Sequence, residues 1–291
     1  MLGLDPDPAT LWPDAVEADT TAYGEAVVRD AAALTAAAVE RHCEAAMEAA
    51  GPACVAVKLQ LACFERLGAE GWRALQAAVA AARERGLLVL ADGKRGDVPV
   101  TARAYAQALV GETQGPFGAV EGLGADAFTA NPLLGRDALE PLVDAAVEAG
   151  AGCFCLVRTS NPGAAEIQDE PEGEPLYERL ARMVAELGAS RRGASGLSSV
   201  GAVTGATRPD LLARLRELMP HAIFLLPGVG AQGGSVDELT PAFEPHPAAG
   251  LVTASRSIVD AYRDRGGDPA AAAAAAAEEL RAAAWAVAQP G

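Results

Sequence analysis

The sequence predicts an α/β protein and, within that class, a (β/α)8 TIM barrel forming a single domain over residues 1–291. Three observations predict it. Short apolar, β-branched runs alternate with long Ala/Leu/Glu/Arg segments of helical spacing. The alternation repeats eight times, and strict strand–helix alternation implies a parallel sheet. Side chains able to do chemistry gather at the C-terminal end of nearly every strand, the end at which such barrels build their sites. An open, doubly wound sheet is the alternative topology.

The strands are expected at 2–5, 54–59, 87–92, 127–131, 153–159, 200–204, 223–227 and 250–254. Helices fill the gaps near 24–50, 69–86, 99–110, 137–150, 176–189, 209–219, 235–240 and 269–288. Gly86 follows Arg83-Glu84-Arg85 as a helix C-cap does. Pro99, Pro209 and Pro269 each suit a first helical turn. The alanine run 270–277 has high helix propensity and begins the last helix. Two long loops are expected: a Gly-rich one at 112–125 and an acidic one at 162–175. The second carries Glu166, Asp169, Glu170, Glu172 and Glu174 and reads as solvated surface.

Composition narrows the function. With 23 basic and 39 acidic residues the net charge is −16, which disfavours a nucleic-acid backbone or an anionic membrane surface as partner. No apolar stretch approaches the roughly 18 residues of a membrane helix, and no basic, cleavable leader precedes Gly3. The five cysteines, Cys43, Cys54, Cys63, Cys153 and Cys155, show no Cys-x-x-Cys. They read as free thiols of a reducing cytoplasm. His42, His221 and His246 are scattered, and nothing has metal-ligand spacing.

The strand ends carry the chemistry. Strand 1 ends in Asp5, strand 2 in Lys58, and strand 3 in Asp92-Gly93-Lys94-Arg95-Gly96-Asp97. Asp92 and Lys94 are two apart, so an extended backbone points both to one side. Lys58, Asp92 and Lys94 then form an alternating cluster with Asp97 beyond. An ammonium among carboxylates stays protonated, which suits a proton donor and not a Schiff-base nucleophile. A structural ion-pair network at the barrel rim is the plainer alternative. Strand 7 runs into Gly228-Val229-Gly230-Ala231-Gln232-Gly233, a literal Gly-x-Gly-x-x-Gly. A dinucleotide fingerprint belongs to a first βαβ unit with an acidic residue after its second strand, and this one comes late. Glycines after strand 7, with Arg256 after strand 8, fit a phosphate site instead. A flexible connector would leave Arg256 unexplained.

At these residues the chain resembles the orotidine 5′-phosphate decarboxylase family, in its bacterial subgroup with longer loops. The matching segments are Gly3-Leu4-Asp5-Pro6, Val57-Lys58-Leu59-Gln60, Asp92-Gly93-Lys94-Arg95-Gly96-Asp97, Thr129-Ala130-Asn131-Pro132, Thr159-Ser160-Asn161-Pro162, Thr204-Gly205-Ala206-Thr207, Pro227-Gly228-Val229-Gly230-Ala231-Gln232-Gly233 and Ser255-Arg256. They run in family order from residue 3 to about 258. The resemblance implies cofactor-free, metal-free decarboxylation of orotidine 5′-monophosphate (OMP) to UMP, by a cytoplasmic homodimer. It implies Lys94 as proton donor to C6, Asp92 facing the substrate carboxylate, and Lys58 holding the charge network and contacting the ribose. Asp97 and Thr101 would reach across the dimer. Asp5 would bind ribose hydroxyls and Ser160 the pyrimidine amide edge. Gln232 and Arg256 would hold the phosphate, beside Pro227 and the loop glycines Gly228, Gly230 and Gly233. One departure stands out: where the family follows its second Asp with Ile, Gly and a small polar residue before Thr, this chain has Val98-Pro99-Val100-Thr101. Rival readings are a Mg²⁺-dependent sugar-phosphate decarboxylase or aldolase of the same superfamily, and a non-catalytic nucleotide-phosphate binder.

Overall fold

Strands that are apolar on both faces need cover on both faces, which a parallel sheet flanked by helices supplies. The computed structural model describes residues 1–17, 30–230 and 232–289. Its strands are β1 (Leu2–Leu4), β2 (Ala56–Gln60), β3 (Leu88–Arg95), β4 (Glu112–Gly115), β5 (Gly118–Glu121), β6 (Ala127–Ala130), β7 (Gly152–Arg158), β8 (Ser198–Thr204), β9 (Ala222–Leu226) and β10 (Gly250–Val252). Each of the eight expected strands is present. They form one sheet in the order β1-β2-β3-β6-β7-β8-β9-β10, and the helices between them complete the (β/α)8 barrel fold. Two compact units divide the chain, Met1–Asp92 with Ser255–Leu280, and Gly93–Ala254 with Arg281–Gly291.

In the first unit β1, β2 and β3 pair in parallel, with Gly3 opposite Lys58 and Gln60 opposite Asp92. Helix Ala31–Ala50 buries Ala36, Val39, Cys43, Met47 and Ala50, a three-and-four spacing that forms one apolar stripe. Asp30 caps it by accepting a hydrogen bond from the Ala32 N–H at 3.1 Å. The expected start of this helix, 24–29, lies outside the described residues. Helix Gly68–Glu84 is closed by Gly86 at φ +71°, and helix Pro269–Ala288 begins where Asp268 accepts from the Ala271 N–H at 2.7 Å. The alanine run is packing surface: Ala272 and Ala276 are buried with Ala261 against Tyr262.

Within this unit a clip holds the segment after β1. Trp12 donates its backbone N–H to His42 Nδ1 at 3.1 Å and its indole N–H to the Val259 carbonyl at 3.0 Å. The Trp12 and His42 rings meet edge to face, centroids 5.4 Å apart. Burial pushes the His42 pKa down to about 4, so the ring is neutral and Nδ1 is free to accept.

In the second unit β6 to β10 pair in parallel around a core that includes Phe128, Leu139, Leu142 and Phe224. Arg216 is buried here. Its guanidinium donates to the carbonyls of Met219 (3.0 Å), Ala222 (2.8 Å) and Ala242 (2.6 Å) and lies 3.8 Å over the Phe224 ring. Three elements differ from expectation. The Gly-rich segment 112–125 is not a plain loop: β4 and β5 form an antiparallel hairpin, whose Thr/Val residues and Gly-flanked Pro116-Phe117 tip supply both strand and turn. The helix expected at 235–240 is a pair of short 3₁₀ turns, Val236–Glu238 and Thr240–Phe243, because Pro241 interrupts an α-helical pattern. The acidic segment 162–175 is not simply solvated: Asp169 pairs with the buried Arg158 at 2.7 Å and with Arg208 at 3.1 Å.

Two outcomes follow. Arg216→Leu strands several buried carbonyls and is expected to cost roughly 3 kcal/mol in chemical denaturation. His42 takes its proton in the unfolded chain near pH 6.5 but in the folded chain only near 4. Folding stability is therefore full above pH 6.5 and falls as pH drops toward 4. His42→Asn is expected to flatten that fall in urea titrations at stepped pH.

Candidate active site

A parallel strand delivers alternate side chains to one side, and β2 does this with Lys58 and Gln60. Lys58 donates to Asp92 Oδ2 at 2.9 Å and to Asp5 Oδ1 at 3.3 Å, while Gln60 Nε2 donates to the same Asp92 oxygen at 3.2 Å. Lys58 and Asp92 are buried, whereas the Asp5 side chain is 40% exposed. Burial alone would lower the Lys58 pKa. The carboxylates of Asp92 and Asp5 outweigh it, and the net shift is upward. Of the expected alternating cluster, the first unit brings Lys58 and Asp92 together, and Asp5 joins them through Lys58. Gln60 was not singled out by sequence reasoning, although its spacing of two from Lys58 was the available signal.

The first unit also contains a cleft lined by Asp5, Asp7, Thr10, His42, Arg256 and Asp260. Asp5 and Arg256 therefore share one concavity, with Arg256 exposed at the first turn of helix Arg256–Val259.

In the second unit the end of β3 is bent. Lys94 has φ +49°, unlike every other described non-glycine residue. The extended-strand argument for its direction therefore does not apply at Lys94, whose side chain is exposed. Its backbone N–H donates to Thr129 Oγ1 at 2.9 Å on β6, and Asn131 N–H donates to the Arg95 carbonyl at 2.7 Å. A left-handed lysine carries conformational strain, and such strain collects at functional positions. Asp97 accepts from the Val98 N–H at 2.7 Å, and Thr101 is exposed in the first turn of helix Pro99–Leu109. The Val-Pro-Val departure is accommodated with Pro99 as a helix-starting residue.

The same unit brings Ser160, Thr207, Gly228 and Gln232 together. Thr207 Oγ1 donates to the Ser160 carbonyl at 3.1 Å. A Cβ on Gly205 would lie 2.7 Å from Ser160 Cα. One on Gly228 would lie 3.1 Å from Ser160 Cβ and 3.3 Å from Gln232 Oε1. Glycine at both positions lets the β8 and β9 ends close on Ser160. Beyond Pro227, the loop is knit by Gly234 N–H to the Gly228 carbonyl (3.0 Å) and Gly233 N–H to the Gly230 carbonyl (2.8 Å). Gly228, Gly230 and Gly233 all have positive φ. Ala231 lies outside the described residues. Among the described residues no group of three His, Cys, Asp or Glu is placed to hold a metal, and no helix is long and apolar enough to cross a membrane.

Comparison with known proteins places the chain in a family. Residues 3–276 match the orotidine 5′-phosphate decarboxylase / HUMPS family. The chain is 42% identical over 252 residues to the orotidine 5′-phosphate decarboxylase of Rhodopirellula baltica, covering 85% of this chain and 82% of that one. It is 46% identical over 213 residues to the orotidine 5′-phosphate decarboxylase of Deinococcus radiodurans, covering 73% and 74%. Among solved structures it is similar to the OMP decarboxylase of Leishmania donovani, with TM-score 0.68, 32% identity, and 87% and 88% of the two chains covered.

The ion cluster makes a direct forecast. In Asp92→Asn, burial acts on Lys58 with only Asp5 opposing it, so the Lys58 ammonium is expected to titrate at lower pH than in the parent. NMR of the lysine Nζ resonances across pH reads this, and an unmoved Lys58 would contradict the assigned cause.

Proposed function

On the premise that this chain belongs to the orotidine 5′-phosphate decarboxylase / HUMPS family, we propose how its residues divide the work. The chain is a carbon–carbon lyase that converts OMP to UMP and carbon dioxide. The observation that carries the assignment of roles is the buried Lys58–Asp92 pair with Asp5 at its exposed side, continued in sequence by the strained Lys94.

Breaking the C6–carboxylate bond leaves its electron pair on a ring carbon with no obvious resonance sink. The Lys94 ammonium opposes that charge as it develops and then transfers a proton to C6. Asp92 faces the departing carboxylate, and Lys58 pairs with Asp92 while contacting the ribose. Asp5 binds ribose hydroxyls and Ser160 the amide edge of the pyrimidine. Gln232 and Arg256 hold the phosphate with Pro227 and the loop glycines Gly228, Gly230 and Gly233. Phosphate contacts remote from C6 supply binding energy that is expressed in the transition state. The scheme uses no cofactor and no metal, because a lysine supplies both charge and proton. The Mg²⁺-dependent rival predicts that chelation stops turnover.

The dimer belongs to the same proposal. Asp97 and Thr101 act in the partner's site, and the whole chain functions as one barrel domain in the cytoplasm. Exposed Val98 (56%), Val100 (86%), Leu133 (67%) and Leu134 (49%) support an interface beside these two residues, since clustered exposed apolar side chains mark association surfaces. Free cysteines suit a reducing compartment.

OMP loss followed by UV absorbance is expected to proceed unchanged in EDTA and to fall about a thousandfold or more in Lys94→Ala. Absence of turnover by the intact protein would overturn the reading. Lys94→Ala and Asp97→Ala are each expected to be inactive. Mixed at random as dimers, they should recover about a quarter of parental activity, because half of the dimers then carry one intact site of two.

A further inference from the structure

The acidic segment 162–175 grips the chain on the N-terminal side of Ser160. Gln168 Oε1 accepts the Thr159 backbone N–H at 2.8 Å, and Gln168 Nε2 donates to Thr159 Oγ1 at 3.0 Å. The next residue, Asp169, takes the buried Arg158 guanidinium through both oxygens, from Nε at 2.7 Å and from Nη2 at 3.1 Å. Arg208 donates to the same carboxylate at 3.1 Å. Those hydrogen bonds from Arg158, and its charge with that of Arg208, hold the Asp169 pKa below the usual carboxylate range. Two consecutive residues of one short helix end therefore fix two consecutive residues at the end of β7, and Ser160 comes next. On its other side Ser160 is held by Thr207.

Resting on the function proposed above, we infer that Gln168 and Asp169 are positioning residues for pyrimidine recognition: they clamp Arg158 and Thr159 so that Ser160 meets the base edge in one orientation. Neither residue touches substrate in this scheme. A bidentate amide and a bidentate carboxylate restrain direction as well as distance. The hydroxyl of Ser160 has no such restraint of its own, so its aim is set by the backbone that carries it. The clamp serves the base end of the ligand, and the phosphate end is held by other loops. The acidic composition of the segment thus has a local reason at Asp169, where a buried arginine needs a carboxylate.

The test compares a ligand that has a base with one that lacks it. UMP and ribose 5-phosphate are titrated calorimetrically into the full-length protein and into Gln168→Ala, Thr159→Val and the double variant. Thermal melts confirm folding. Gln168→Ala is expected to weaken UMP binding about tenfold and to leave ribose 5-phosphate within about twofold. KM for OMP should rise more than kcat falls. Because the two side chains act through one another, the double variant should lose less than the product of the single losses. Equal weakening of both ligands, unchanged UMP binding, or fully multiplicative losses would each overturn the inference while OMP turnover by the parent protein left the proposed function standing. A parent that neither turns over OMP nor binds UMP would overturn both. Should Gln168→Ala fail to fold, Thr159→Val alone carries the comparison of the two ligands.

Discussion

A buried ammonium needs carboxylates, and carboxylates this close together need an ammonium. The Lys58 contacts at 2.9 Å to Asp92 and 3.3 Å to Asp5 satisfy both needs. They also tie three strands together, since Asp5 follows β1, Lys58 lies on β2 and Asp92 on β3. Desolvation disfavours the buried Lys58 and Asp92 charges separately, so these two are stable only as a pair. Gln60 completes it by occupying the same Asp92 oxygen that Lys58 contacts. In sequence, Lys94 follows Asp92 by two residues.

Within each unit, polar side chains fix the segments that follow the strands. The Trp12–His42 clip restrains the segment after β1, the Thr129 hydroxyl restrains the turn at Lys94, and the Gln168–Asp169 pair restrains the end of β7. In each case a polar side chain from one element holds a backbone N–H of another, of Trp12, Lys94 and Thr159, and Asp169 adds a side-chain pair with Arg158. Directional bonds of this kind set position where apolar packing would tolerate sliding. The alanine-rich helices contribute differently. With few aromatics available, small side chains such as Ala36, Ala46 and Ala276 let helices pack closely.

Much of this was legible in the residues. Period-two and period-3.6 patterns revealed every barrel strand and most helices, and charged residues at strand ends pointed to Lys58, Asp92 and Arg256. The hairpin at β4–β5 was hidden because glycines at 115, 118 and 122 read as loop while its strands are fully exposed and lack apolar alternation. The 235–240 segment failed because Pro241 acts beyond the window that suggested a helix. Asp169 was hidden for another reason: five acidic residues look alike in sequence, and only tertiary structure shows which one faces a buried arginine. The backbone conformation at Lys94 was hidden because alternation assumes extended backbone, and no local signal announces a left-handed lysine.

That left-handed lysine sets stability and chemistry against each other at one position. Glycine, asparagine and aspartate adopt φ near +49° at lower cost than lysine, so the fold by itself favours replacing the proposed proton donor. Selection for stability alone would empty the site. A lineage that no longer needed the decarboxylase would be expected to drift toward a small residue at 94 early, keeping the barrel while losing the proton.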